Sequence, residues 1–244
     1  MRKYVTVLLF FVVLAVNYLA NALPINGKNT GELSDQYPNL FVPAGLTFSI
    51  WGVIYLLLLV QVALLFSRKR EATELAIGWW LSANFLCNAM WIFAWHYELI
   101  ELSLLIMIGL LMSLARINQA LSVSTDTFAR LTFGIYLGWI CIATIANVTA
   151  LLVSYNWHGA LFSETVWTML LIAVGAAVVI WLIRKLSNPF LALAVCWAFL
   201  GIYIKRQADY PAISISAGAA LITMASGAIV ISMHRRHRPV GMDK

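Results

Sequence analysis

Charge is scarce in this chain: of its 244 residues only 11% are Asp, Glu, Lys or Arg, while 62% are hydrophobic. A soluble domain has about a quarter of its residues charged. The deficit therefore excludes such a domain, and a mean hydropathy of +0.87 makes lipid the main solvent. Acids are the scarcest, 10 against 16 bases, and none lies at mid-depth in an apolar run. That counts against proton- or cation-coupled transport, which usually needs an intramembrane carboxylate. The formal charge of +6 resides mostly in short loops, where it signals topology rather than nucleic-acid binding. Cysteine is equally sparse. Cys87, Cys141 and Cys196 fall in three separate apolar runs without Cys-x-x-Cys spacing, a pattern that reads as packed small side chains. The histidines form no ligand constellation: His96 and His158 read as solvated neighbours of helix ends, and His234 and His237 belong to a basic tail. On these grounds no metal or cofactor is required.

Apolar length, by contrast, is abundant. Eight runs stand out, at 4–22, 43–66, 74–97, 101–122, 130–154, 165–184, 189–205 and 212–233, against the roughly 20 residues a helix needs to cross about 30 Å of hydrocarbon. The seventh run is the shortest. None shows the period-two alternation of an outer-membrane strand, so each is expected to be a helix whose amides are satisfied within the segment. The expected fold class is all-α, a polytopic transmembrane bundle of about eight helices. With the amino terminus in the cytoplasm, 13 of the 16 Lys and Arg residues lie on the inner side. This puts both termini in the cytoplasm and suits the plasma (inner) membrane of a bacterium. Lys205-Arg206 is the local exception, on the outer side.

The opening Met1-Arg2-Lys3, an apolar run and then Ala20-Asn21-Ala22 also match a cleavable signal peptide, so the first run is either a leader or the first helix. The longest polar connection, Leu23 to Leu40, is rich in Gly and Asn, which favours turns over a helix and suits a lid or a solvated loop. Arg116, near the inner end of the fourth run, reads either as a snorkelling side chain or as a buried ion pair. Gly175-Ala176-Ala177 and Gly218-Ala219-Ala220 suit close helix packing.

The second, third and fifth runs carry stripes of aromatic and amide side chains. Phe48, Trp51 and Tyr55 share one helical face. Asn84, Asn88, Trp91 and Trp95 share another, and Tyr136, Trp139, Ala143 and Asn147 a third. Hydrocarbon cannot satisfy an amide, so the three asparagines should face the bundle interior, a cavity or one another. Interhelical glue is one reading of them, worth about 0.6–2 kcal/mol per contact. An interfacial belt explains Trp79, Trp80, Trp95 and Trp157 near run ends, but it explains Trp51, Trp91 and Trp139 less well. Flat rings beside a few fixed amides are also what a pocket for a flat apolar ligand needs.

These stripes resemble those of the TspO/MBR tryptophan-rich sensory proteins, which include the mitochondrial translocator protein. The family's second helix opens with Trp-x-Pro-Pro and continues Val-Phe-Gly-x-Val-Trp-Thr-x-Leu-Tyr. Here Phe41-Val42-Pro43-Ala44 is followed by Phe48, Trp51 and Tyr55 at the same spacing. The third helix of the family, Gln-Leu-x-Leu-Asn-x-x-Trp-Ser, is matched by Asn84, Asn88 and Trp91. The fifth, Pro-Tyr-x-x-Trp-x-x-Phe-Ala-x-x-Leu-Asn, is matched by Tyr136, Trp139, Ala143 and Asn147.

The resemblance covers about residues 38–150 and implies a five-helix core over 1–155; the remaining apolar runs, outside that core, add three further transmembrane helices over 156–233, followed by a basic cytoplasmic tail over 234–244. It further implies an intramembrane pocket for a porphyrin or similarly flat hydrophobic molecule, roofed by Leu23 to Leu40, with Phe48, Trp51, Tyr55, Asn84, Asn88, Trp91, Tyr136, Trp139, Ala143 and Asn147 as its ligand-binding residues. The expected partners are the bilayer and that hydrophobic small molecule; a homodimer stays open. Porphyrin breakdown has been ascribed to some bacterial members, but Trp is a poor general acid or base, so no catalytic residue is assigned. Two alternatives stay open beside a ligand-binding sensor or carrier. One is a transporter of small solutes, and the other is a structural or signalling membrane protein whose partner docks on the tail.

Overall fold

The computed structural model describes residues 1–23, 25–157 and 159–236. His158 and the basic tail from residue 237 lie outside them. Every apolar run folds as helix. The first is α1 (Arg2–Ala22). A connection follows that contains the short helix α2 (Thr30–Asp35), and a 3-10 turn at Gly45–Ser49 leads into α3 (Ile50–Ala63). Next come α4 (Glu71–Ile77) and α5 (Trp80–His96), then α6 (Ile100–Ala120) and α7 (Thr127–Ser154). The chain ends in α8 (Glu164–Leu186), α9 (Leu191–Arg206) and α10 (Pro211–Arg236). Among the described residues six stretches are each long and apolar enough to cross a bilayer, and the bent pair Arg68–Ile77 with α5 counts as a seventh when taken as one broken span. The short α9, of 16 residues, rises only about 24 Å and buries one face against its neighbours.

The third run is the place where a continuous helix was expected and a broken one is found. Residues 68–77 and 80–96 are bent by 64°, at Gly78 with φ +59°. Only glycine adopts that left-handed conformation without strain. The apolar composition continues across the break, so hydropathy alone cannot register it. On the near side of the bend Glu74 is buried and pairs with Arg2 at 3.1 Å and Lys3 at 2.6 Å, tying the start of α1 to α4.

Helices α1, α3, α7, α6 and α5 touch in that order and close into a ring, since α5 also packs on α1. Without a hydrophobic driving force between helices in lipid, close packing and polar cross-links must hold such a ring. Both are present. Phe10 and Phe85 meet with ring centroids 5.4 Å apart, and Thr6 and Ser82 share a hydrogen bond of 2.8 Å between α1 and α5.

Outside the ring, α9 lies against α7, and α10 bridges α8 and α9. The α7–α9 contact is backbone to backbone: a Cβ on Gly138 would lie 2.3 Å from the Leu191 carbonyl oxygen. Asn188, just before α9, donates to Asn118 Oδ1 at 2.8 Å and to the Arg130 carbonyl at 2.9 Å. One continuous apolar core therefore runs from Phe10 through Phe133 to Phe199 and Met224. Of the small-residue positions in the last helices, Gly175 and Ala176 are buried, whereas Ala177 and Ala219 are exposed. A Cβ on Gly175 would meet Ile145 at 3.0 Å, and one on Gly218 would meet Tyr203 at 3.5 Å.

Arg116 is exposed, reaches Gln119 and lies over the Trp80 ring at 6.0 Å. This is a snorkelling geometry rather than a buried ion pair.

Candidate functional site: an aromatic cavity under a pinned loop

The three stripes converge on one cavity of about 620 Å³, inside the five-helix ring and beneath the connection between α1 and α3. On one wall Trp51 stacks on Tyr55 at 5.6 Å and 18° and stands edge-on to Trp139 at 6.2 Å and 87°. Phe48 meets Trp139 edge-on as well, at 6.0 Å. The opposite wall is α5, where Trp91 stacks on Trp95 at 5.6 Å and 16°. Offset stacking and edge-to-face contact are the arrangements aromatic quadrupoles favour, so the rings brace one another as well as forming the wall.

Of the ten residues expected at the site, Phe48, Trp51, Tyr55, Asn88, Trp91, Trp139, Ala143 and Asn147 line this cavity. Asn84 and Tyr136 do not. Asn84 is fully buried and donates to Ser113 Oγ at 2.9 Å, joining α5 to α6; it is interhelical glue. Tyr136 is also fully buried, one layer behind the wall, where its hydroxyl accepts from Asn88 Nδ2 at 2.8 Å and its ring stands edge-on to Trp51. Helical spacing gave both residues the right face, but the neighbouring side chains cover them. Asn147 combines two roles: it lines the cavity and exchanges hydrogen bonds with Ser103 of α6.

Polar order in the cavity centres on Asn88. Its Oδ1 accepts from Asn17 Nδ2 at 3.0 Å while its Nδ2 holds Tyr136, so one amide links α1, α5 and α7. By contrast, the Trp91 and Trp139 indole N–H groups and the Tyr55 hydroxyl are buried without a hydrogen-bond partner among the described residues. Each such group costs about 1–3 kcal/mol when left unpaired, and all three belong to residues that line the cavity.

The roof departs from the turn-rich loop that its composition suggested. Asn29 caps α2 by accepting from Gly31 and Glu32 backbone N–H groups, and Glu32 Oε2 accepts in return from the Asn29 N–H at 2.8 Å. This reciprocal box stabilises a helix only six residues long. Leu33 is fully buried, packed with Trp95, Ile100 and Ala150, while Thr30, Gly31 and Ser34 face the cavity.

His96 pins the roof and is not a solvated interfacial residue: it is fully buried. Its Nδ1 lies 3.0 Å from the Ile25 carbonyl and its Nε2 3.1 Å from Thr30 Oγ1. A neutral ring with its proton on Nδ1 satisfies both contacts, donating to the carbonyl and accepting from the hydroxyl. Trp95 likewise lines the cavity rather than an interfacial belt. Beside it, burial and then the Glu98 carboxylate raise the Tyr37 phenol above its ordinary pKa.

A family model described as TSPO-like protein matches residues 3–230. The chain belongs to the TSPO-like protein family. The match extends past the stretch of stripes to include α8, α9 and most of α10. Comparison with curated proteins and with solved structures finds no match. Within this TSPO-like bundle two contributors to the cavity went unnoticed in the sequence. Leu14, Asn17, Tyr18 and Asn21 bring α1 into the wall. Their spacing of 0, 3, 4 and 7 is itself a helical stripe, masked because that run also reads as a leader. Lys205 reaches the rim from α9, a helix for which the stripes gave no signal.

Proposed function

We propose that this integral membrane protein binds a flat, largely apolar molecule such as a porphyrin in the cavity beneath α2, for sensing or carriage. The observation that carries the proposal is the convergence of three aromatic stripes on a single cavity of about 620 Å³, within the range of about 300–1,000 Å³ common for small-molecule sites. Trp51, Trp91 and Trp139 would supply stacking area. The amides of Asn88 and Asn147, which line the same space, would set the ligand's orientation. Both termini would lie in the cytoplasm, given the skew of basic residues.

The test is a titration of the detergent-purified protein with protoporphyrin, following tryptophan fluorescence in the wild type and in the double variant Trp51→Phe, Trp139→Phe. Saturable quenching that weakens at least tenfold in the double variant supports the proposal. Quenching that never saturates and is equal in both proteins refutes it.

A further inference from the structure

Of the three cations that the charge skew leaves on the outer side, two are adjacent in the sequence, and the structure gives one of them a role. Lys205 and Arg206 end α9 against the turn that opens the second span. Arg206 is committed to that turn, donating to the Leu40 and Asn39 carbonyls at 3.0 and 2.9 Å. Lys205 is not. Its one hydrogen bond, to the Pro43 carbonyl, is 3.4 Å long, and an ammonium has three donors. Among the described residues it makes no ion pair. It is also the sole Lys or Arg lining the aromatic cavity, and it lines at the same time a second, more polar cavity of about 330 Å³ bounded by Tyr37, Glu164 and Tyr210. Asp35 shares both rims with it, without closing to ion-pair distance. A half-buried ammonium with free donors, poised where an apolar cavity opens into a polar one, is a place for an anion attached to an apolar body.

Resting on the reading of the cavity above, we infer that its ligand carries a carboxylate and that Lys205 holds this group at the mouth, with the flat body lodged among the Trp51, Trp91 and Trp139 rings. The helices that follow the five-helix ring thereby supply a specificity-determining residue to the site. Arg206 fixes the turn and so positions Lys205, while Trp197, donating to the Thr47 carbonyl at 2.9 Å, anchors the same junction about two turns deeper along α9.

Five titrations test this: protoporphyrin and its dimethyl ester on the wild type and on Lys205→Met, and protoporphyrin on Lys205→Arg. The acid should bind the wild type at least tenfold more tightly than it binds Lys205→Met, and the ester should bind both proteins equally. Lys205→Arg should restore most of the affinity for the acid. Acid binding that is unchanged in Lys205→Met overturns the inference and leaves the cavity reading standing. Loss of acid and ester binding together in Lys205→Met also overturns it, because the lysine would then only support the wall. If neither probe saturates on the wild type, both readings fall.

Discussion

The cross-link through Asn88 can be dissected quantitatively. Asn88→Ala removes two interhelical contacts, the 2.8 Å bond to Tyr136 and the 3.0 Å bond from Asn17. Asn17 Nδ2 keeps the Val13 carbonyl at 2.9 Å, so it is not orphaned, whereas the fully buried Tyr136 hydroxyl loses its donor. At an average of about 0.6 kcal/mol per interhelical hydrogen bond in a bilayer, the substitution should cost about 1 kcal/mol. Tyr136→Phe removes one of the two contacts and should cost about half as much. In the double variant the Asn88–Tyr136 bond is lost only once, so the two effects should fall short of their sum by about 0.6 kcal/mol, and by no more than about 1.7. Unfolding by SDS in mixed micelles, followed by tryptophan fluorescence, gives all four free energies. Effects that add to within about 0.3 kcal/mol would refute the bond as a structural link, and with it the placement of Tyr136 behind the cavity wall.

Three further outcomes follow from the packing and the roof. Gly138→Ala drives a methyl group into the Leu191 backbone and should destabilise the protein by about 1–3 kcal/mol, seen as a lower melting temperature in detergent. Gly218→Ala, where the new methyl would meet Tyr203 at an ordinary 3.5 Å, should leave that temperature nearly unchanged. His96→Ala releases the roof, held at Ile25 and Thr30, from α5. At about 0.5–1.5 kcal/mol per bond, tryptic cleavage at Lys28 should quicken by roughly fivefold or more, if cleavage follows the open population; an unchanged rate would show that the roof is held elsewhere.

Much of the bundle was legible because lipid imposes few alternatives. A long apolar run must satisfy its own amides, so runs such as 101–122 and 130–154 could only be helices. The break at Gly78 was not legible, since composition says nothing about φ. The roof helix was hidden for a related reason: Asn29 and Glu32 form a capping box, but six residues that follow an asparagine and contain a glycine read first as turns. At the cavity, helical spacing identified which side chains share a face. It could not say which helix stands opposite, and that decided the fates of Asn84, which meets Ser113, and Tyr136, which lies behind Trp51. Lys205 was visible only as an anomaly of charge. Its meaning required the contact between α9 and the second span, 150 residues apart in the chain as measured by the Trp197–Thr47 bond, and no local pattern encodes that separation.

The central claim is that the cavity, rather than the bilayer-facing surface, takes up the ligand, and filling the cavity tests it most directly. Ala143 lines the space beside Trp139 and Asn147, so Ala143→Phe should occupy volume needed by the ligand. Protoporphyrin binding to this variant would be followed by the shift of the porphyrin's own absorption band, which does not depend on the tryptophans, together with the melting temperature of the protein. Loss of saturable binding with an unchanged or raised melting temperature is the expected result. Binding as tight as that of the wild type, in a protein just as stable, would contradict it and place the ligand somewhere else.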